Sequence, residues 1–220
     1  MGKGPLVNLV LLAALIGGLA TTSAGAADVD GYWRLKSHVG GKPVLVKGAA
    51  AKLKGLKLKD GVDVESVRWC VPQGLPYAMM SAGTLEIFRN ANETVLIPEH
   101  NALNRHIYTA GQTHPSEEIF DNTPVGNSIG KWNGGQLTAE TVNMSAGVGP
   151  ASAARTEKAK LVERFTFSAD GRRLTVVSTW SDPTVFRKPY TYTLTYERLP
   201  EGYTMPEFYC DPRENGVGHK

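Results

Sequence analysis

Short runs in which apolar and polar residues alternate fill most of the chain from residue 84 onward. The runs are rich in β-branched and aromatic residues, and Gly, Asn or Pro bounds each of them, which is typical of β-strands. A similar run lies nearer the start of the chain. We therefore predict strands at residues 31–38, 84–89, 93–100, 104–110, 128–132, 137–144, 160–168, 173–181 and 189–199.

The connections between these strands indicate how they assemble. Residues 133–135 read Asn-Gly-Gly, which is a strong hairpin signal, and residues 169–171 read Ala-Asp-Gly. Serial hairpins favour a closed or nearly closed barrel, since closure removes exposed strand edges. We predict a mainly all-β protein, an antiparallel β-barrel of about eight to nine strands that forms a single domain over residues 27–220.

One segment before the main run of strands predicts a helix. Residues 48–60 contain strong helix formers, and Leu53 and Leu56 lie three positions apart, on one face of a helix. The alternation of Leu and Lys also permits a strand here, but Gly55 interrupts the period of two. We predict a short surface helix.

The first 26 residues have the three regions of a secretory signal peptide. Lys3 supplies a positive charge, residues 6–19 are apolar except for Asn8, and residues 24–26 are small. A transmembrane anchor is the alternative, but a span needs roughly 20 apolar residues and this run is shorter. We predict cleavage near Ala26, a periplasmic or secreted product, and no stable membrane span after cleavage.

Charge and motifs exclude several classes of function. The chain has 220 residues and a formal net charge of +3. Its densest positive group, Lys52, Lys54, Lys57 and Lys59, is also what a solvated surface looks like, and no nucleic-acid-binding motif accompanies it. We therefore predict no nucleic-acid partner. Neither a P-loop nor a dinucleotide-binding fingerprint is present, and no cofactor is predicted.

The two cysteines, Cys70 and Cys210, lie in the part predicted to be exported. In an oxidising compartment two cysteines most simply form a structural disulfide. Such a bridge would stabilise the fold by about 4–5 kcal/mol because it restricts the unfolded chain. A reactive thiol or a metal ligand is the alternative, but the neighbouring Cys or His residues that either would need are lacking.

Several segments between the two cysteines form a pattern: Cys-x-Pro-x-Gly-x-Pro at 70–76, Arg-His-Ile-Tyr at 105–108, Gly-x-Ser-Ile-Gly-x-Trp at 126–132 and Glu-Arg-Phe at 163–165. In this pattern the chain resembles a widespread group of exported bacterial proteins to which no activity is assigned. Gln112 stands where the group usually has Arg. The resemblance implies export and a β architecture.

A second pattern involves the two ends of the predicted barrel. Gly31, Tyr32 and Trp33 lie in the first strand, and Arg198 lies in the last. In these residues the chain resembles lipocalin-like barrels, which carry a Gly-x-Trp near their start. The resemblance implies that Arg198 covers Trp33 in a cation–π contact and closes the barrel.

Charged residues within apolar rows of the strands are the first candidates for a site. Side chains alternate between the two faces of a strand, and Glu99, Arg105 and Glu163 each share a face with apolar neighbours. Because an isolated buried charge is very costly, we predict a Glu99–Arg105–Glu163 cluster inside the barrel. A tight hairpin over 101–104 would instead place Glu99 opposite His106.

Such a cluster has three possible uses. Arg105 and Glu163 could bind the polar head of a ligand, and Glu99 is a candidate for general acid–base catalysis. A purely structural ion pair that fixes the strand register is the alternative. Tyr108, Trp132 and His106 are further candidate ligand contacts, although core packing is the ordinary role of such aromatic residues.

Three histidines, His100, His106 and His114, lie close together in the sequence. Their spacing matches neither the helical nor the strand arrangement of metal-binding pairs, so no metal site is predicted. His114 lies in a loop near the acidic residues 117–118 and is the second catalytic candidate, with an ordinary loop histidine as the alternative. Ser128 could be a nucleophile with His114 as its base, but it enters a strand rather than a strand–helix elbow.

These observations predict an exported β-barrel that binds a small, partly apolar or aromatic molecule. A cofactor-independent lyase, isomerase or hydrolase that acts on a small aromatic or lipid-like substrate is the alternative. An envelope interaction protein is the third possibility. A pocket of several hundred Å³ with apolar walls would favour the first two, whereas a barrel filled by side chains would favour the third.

Overall fold

A computed structural model describes residues 1–2, 28–59, 62–80, 83–100, 103–116 and 118–215. The predicted signal peptide lies outside these residues, apart from Met1 and Gly2. The described strands are β1 (Gly31–Gly40), β2 (Leu58–Lys59), β3 (Val62–Asp63), β4 (Thr84–Arg89), β5 (Glu93–Pro98), β6 (Arg105–Tyr108), β7 (Asn127–Asn133), β8 (Gln136–Val142), β9 (Gly147–Val148), β10 (Ala154–Arg155), β11 (Lys160–Phe167), β12 (Arg173–Ser181) and β13 (Tyr190–Arg198). The helices are α1 (Val64–Arg68), α2 (Tyr77–Met80) and two 3₁₀ helices, Ala49–Leu53 and Pro150–Ser152.

Nine of these strands form a closed barrel in the order β1-β13-β12-β11-β8-β7-β6-β5-β4. The predicted barrel is confirmed, and each of its nine predicted strands is present. Its pairing is mixed rather than wholly antiparallel, because β6 and β7 run parallel, with Ile107 opposite Ser128. A parallel pair needs a long connection that returns the chain to the same end, and residues 109–126 provide it.

The predicted helix over 48–60 is wrong beyond its first turn. A 3₁₀ helix covers Ala49–Leu53, and β2 follows it and pairs with β3. Gly55 adopts a φ of +97°, which a helix does not allow. The alternation of Leu and Lys therefore belongs to a short, exposed strand rather than to one face of a helix.

Alternate residues of the barrel strands are buried, and their side chains fill the described interior. Trp33, Trp180 and Leu194 are each 0% exposed to solvent. In β11, every second residue from Leu161 to Phe167 is buried, while the residues between them are more exposed. This period of two is what the sequence pattern predicted.

One end of the barrel is closed by the contact that the lipocalin resemblance implies. Trp33 lies opposite Arg198 in the β1–β13 pair, and the guanidinium carbon of Arg198 lies 5.6 Å from the centre of the Trp33 ring. Arg198 also forms an ion pair with Asp28, with 2.9 Å between Nη2 and Oδ2. The first and last barrel strands are thereby joined by side chains as well as by backbone hydrogen bonds.

The predicted disulfide between Cys70 and Cys210 is confirmed, with a Cα–Cα distance of 5.9 Å. The bridge lies outside the barrel and joins the segment after α1 to the chain beyond β13. Among the described residues, no helix is long and apolar enough to cross a membrane.

Candidate functional site

The structure brings together Arg105 and Glu163, two of the three charged residues of the predicted cluster. Both side chains are almost fully buried inside the barrel, and Nη2 of Arg105 forms an ion pair with Oε2 of Glu163. Arg105 also donates from Nη2 to Thr141 Oγ1 at 2.9 Å and from Nε to Ser128 Oγ at 3.2 Å. The guanidinium is therefore held by groups from β7, β8 and β11.

Further polar groups extend this network across the barrel. Ser178 donates to Oε1 of Glu163 at 3.3 Å. Burial raises the pKa of the Tyr192 hydroxyl, and the negative charge of Glu163 raises it further. Among the described residues, Nη1 of Arg105 is buried without a hydrogen-bond partner. The network is nearly satisfied, and the two N–H bonds of Nη1 are left over.

Glu99 does not belong to this network, and its predicted place there is wrong. Leu96 lies opposite Arg105 and therefore shares its inward face, so Glu99, three residues later, points outward. One Glu99 oxygen accepts the backbone N–H of Thr84 at 2.8 Å, and the other lies 3.7 Å from Nε2 of His100. Each row of β5 contains two apolar residues, Val95 and Ile97 in one and Leu96 and Pro98 in the other, so alternation alone could not decide which row faces the interior.

His106 and Tyr108 also lie on the outer face of the barrel, away from Arg105 and Glu163. Nδ1 of His106 lies 2.8 Å from Oε2 of Glu93, and the rings of His106 and Tyr108 are stacked with 6.3 Å between their centres. These two candidate ligand contacts therefore form a small surface cluster. They do not line the barrel.

His114 packs against the outside of β7 and β8. Its Nδ1 lies 2.7 Å from Oδ1 of Asn127, and its Nε2 lies 3.7 Å from Oε1 of Glu140. Ser128, the next residue after Asn127, points into the barrel and bonds to Thr141 at 2.8 Å. His114 and Ser128 thus lie on opposite faces of β7, which excludes the pairing of nucleophile and base.

Trp132 points inward near the closed end of the barrel. Its Nε1 donates to Thr94 Oγ1 at 3.1 Å, and its ring centre lies 5.8 Å from that of Phe167. The guanidinium carbon of Arg89 lies 4.3 Å from the Trp132 ring. Core packing and barrel closure account for these contacts.

A cleft that the sequence did not predict lies outside the barrel, beside the disulfide. It has a volume of about 300 Å³. Its walls are mainly apolar and come from the segment around α1 and from the C-terminal tail: Val62, Val67, Cys70, Val71, Pro72, Gln73, Tyr77, His100, Phe208 and Cys210. The rings of His100 and Phe208 are 4.8 Å apart at their centres, which joins the end of β5 to the tail.

The N-terminal wall of this cleft is firmly attached to the rest of the molecule. The backbone N–H of Leu75 donates to the carbonyl of Pro124 at 3.1 Å, and Arg155 donates to the carbonyl of Leu75. Leu75 is 0% exposed. Burial lowers the pKa of Arg155 to about 10. The chain that follows this wall is therefore anchored in the packed core through Leu75.

A buried carboxylate organises the start of the same wall. Burial by itself would raise the pKa of Asp63, but hydrogen bonds outweigh it and hold the pKa below its usual value. Oδ1 accepts the backbone N–H of Lys57 at 3.1 Å, and Oδ2 accepts the hydroxyl of Ser66 at 2.7 Å. Asp63 thus ties β2 to the first turn of α1.

The cleft has few polar side chains. Within the described part of the chain, no three His, Cys, Asp or Glu side chains are placed to hold a metal ion. The polar side chains among its lining residues are those of Gln73, Tyr77 and His100. Burial raises the pKa of the Tyr77 hydroxyl, so it is a neutral donor and acceptor at neutral pH.

Comparisons with known proteins add little to this site. No protein-family model and no curated protein sequence matches the chain. Among solved structures, human cRBP IV matches with a TM-score of 0.40 and 14% sequence identity, over 79% of this chain and 99% of that one. A likeness at this level carries no inference about the ligand or the fold.

Proposed function

We propose that this is an exported protein that binds a small, partly apolar or aromatic molecule in the cleft beside the Cys70–Cys210 bridge. The described barrel interior is filled by side chains, which by itself favours the third possibility, an envelope interaction protein. The observation that carries the present proposal is the cleft outside the barrel, a concave site with apolar walls and few polar groups. Ligand sites in proteins have this composition. Export is supported by the predicted signal peptide and by the disulfide, since disulfides persist in oxidising compartments.

The size and lining of the cleft define the class of ligand. A volume of about 300 Å³ is at the small end for ligand pockets, which suits a compound of one or two rings. Phe208, Tyr77 and His100 offer rings for stacked or edge contacts. The few polar groups suit one polar substituent on the ligand rather than several.

The apolar surface around the cleft is too small for a stable protein interface. Among the residues that the structure describes, it comprises five exposed side chains: Val67, Trp69, Val71, Phe208 and Tyr209. Partly exposed side chains of these sizes present on the order of 500 Å². A standard interface buries about 800 Å² on each partner. A small molecule is therefore a better occupant than a second copy of the chain.

The alternative, a cofactor-independent enzyme, stays a prediction, because no observation supports it in the way that the cleft supports binding. Its two catalytic candidates, Glu99 and His114, lie on the outer face of the barrel and are not brought together. Glu99 is engaged by the backbone of Thr84, and Nε2 of His114 is buried.

Binding of indole, a two-ring compound with one N–H, tests the proposal. The ¹⁵N-labelled protein from residue 27 onward is titrated with indole and followed by NMR. We expect saturable shifts in the segment 62–77 and at residues 208–210. Phe208→Ala should weaken binding about tenfold because it removes one wall, which corresponds to about 1.4 kcal/mol.

Tyr209→Ala is the matched control, since Tyr209 is an exposed aromatic neighbour that does not line the cleft. It should leave the affinity unchanged. Shifts confined to the barrel interior, or equal losses in the two variants, would contradict the proposed site.

A further inference from the structure

The two walls of the cleft are held in different ways. The N-terminal wall continues into the single turn of α2, which is fixed to β13 because the Tyr196 hydroxyl donates to the carbonyl of Met79. The opposite wall belongs to residues 204–215, which form neither a helix nor a strand. This second segment is called the C-terminal tail below.

The C-terminal tail leaves the barrel after Tyr203. The Tyr203 hydroxyl lies 2.9 Å from Thr84 Oγ1, and its ring packs edge-on against Tyr32. Beyond that point the Phe208–His100 ring contact holds the tail, and Asn215 donates to the carbonyls of Val67 and Arg68 at 3.4 Å. These are weak contacts, and the covalent Cys70–Cys210 bridge is the strong one.

We infer that the Cys70–Cys210 bridge is a redox control on the cleft, so that reduction frees the C-terminal tail and releases the ligand. This inference rests on the proposed function, because it concerns the same cleft. With the bridge intact, Phe208 and Cys210 complete the cleft. Without it, the freedom of a largely exposed segment outweighs the ring contact and the long hydrogen bonds recorded between the described residues.

The redox partner is a dithiol, either a small molecule or a protein. One of its thiolates attacks a sulfur of the bridge and forms a mixed disulfide, and its second thiolate then displaces the protein sulfur. Two electrons and two protons pass to Cys70 and Cys210, which become thiols, while the dithiol becomes a disulfide. Both cysteines are partly exposed, so the sulfurs are within reach of an attacking thiolate.

One feature of the bridge favours this exchange. Nδ2 of Asn215 lies 3.9 Å from Sγ of Cys70 and 3.8 Å from Sγ of Cys210, so it can donate a hydrogen bond to a departing thiolate. The left-handed φ of Cys70, +57°, belongs to the end of α1, where the N–H groups of Cys70 and Val71 donate to the carbonyls of Val67 and Ser66.

The test measures indole affinity and tail order together, by NMR, in the oxidised protein and after reduction with dithiothreitol. We expect the reduced protein to bind at least tenfold more weakly. We also expect residues 204–215 to gain fast backbone motion while the barrel signals stay in place. The double variant Cys70→Ser/Cys210→Ser should reproduce both changes without reductant.

The outcomes separate this inference from the proposed function. If the oxidised protein does not bind indole, the proposed function fails. If reduction leaves the order of residues 204–215 or the indole affinity unchanged, the redox inference fails. Global unfolding on reduction would also overturn it, because the bridge would then hold the whole barrel rather than one wall of the cleft.

Discussion

Arg105 and Glu163 illustrate what a charged pair costs and contributes at the scale of single residues. Both are buried, and each is the main counter-charge of the other. Taking two charges out of water is expensive, so such a pair stabilises a fold less than its attraction suggests. Removing one partner lowers the stability strongly, because the remaining charge then stays buried without a counter-charge.

We expect Arg105→Met to lower the free energy of unfolding by roughly 3–5 kcal/mol, measured by urea denaturation. The double variant Arg105→Met/Glu163→Leu should recover most of this loss, since it leaves no buried charge. If the loss of stability in the double variant equals the sum of the losses in the two single variants, Arg105 and Glu163 do not interact as a pair. Lys36→Met is the control, because the exposed Lys36–Glu197 pair should contribute less than about 1 kcal/mol.

At the scale of elements, the turn at Gly74 positions the fixed wall of the cleft. Gly74 adopts a φ of +69°, and a Cβ added there would lie 2.1 Å from the carbonyl oxygen of Pro124. That carbonyl also accepts the N–H of Leu75. The close approach of two backbones at this point therefore requires a residue without a side chain.

Gly74→Ala should destabilise the protein by about 2 kcal/mol more than Gly134→Ala in urea denaturation. Gly134 is the matched control, because its φ is +57° but nothing lies within 4 Å of an added Cβ. In both variants the alanine must adopt a left-handed backbone conformation, which lowers the stability by about 1 kcal/mol. Only in Gly74→Ala does the added methyl group also clash with a neighbouring atom. Equal losses of stability in the two variants would show that the backbone at Pro124 moves away from the added methyl group at no cost in free energy.

At the scale of the whole molecule, the disulfide closes a loop with a sequence separation of 140. The chain-entropy relation assigns a loop of this length about 4–5 kcal/mol. That value assumes that the folded state is unchanged when the bridge is lost. If the C-terminal tail detaches, the folded state gains chain freedom as well, and the loss of stability is smaller.

We therefore expect Cys70→Ser/Cys210→Ser to lower the free energy of unfolding by clearly less than about 4–5 kcal/mol in urea. Dithiothreitol should bring the wild-type protein to the same value and leave the double variant unchanged. A loss equal to or above the chain-entropy value would show that the bridge stabilises a tail that stays ordered.

Much of the fold could be predicted from the sequence, but little of the site could. The strands were predictable because a sheet buries alternate side chains, and β11 and β13 repeat that alternation over their whole length. The parallel pairing of β6 and β7 was not, since it depends on where the loop 109–126 returns. The face of Glu99 was also undecided, because each row of β5 contains two apolar residues.

The sequence by itself determined a barrel of about eight to nine strands, closed or nearly closed, together with the disulfide and the burial of Arg105 with Glu163. Each of these follows from local periodicity, or from a charge or thiol that needs a partner. Only the tertiary structure decided that His106, Tyr108 and His114 lie outside the barrel and that a cleft forms beside the bridge. The cleft joins residues 62–77 to 208–210, and its shape depends on packing between segments far apart in the chain, which no local pattern records.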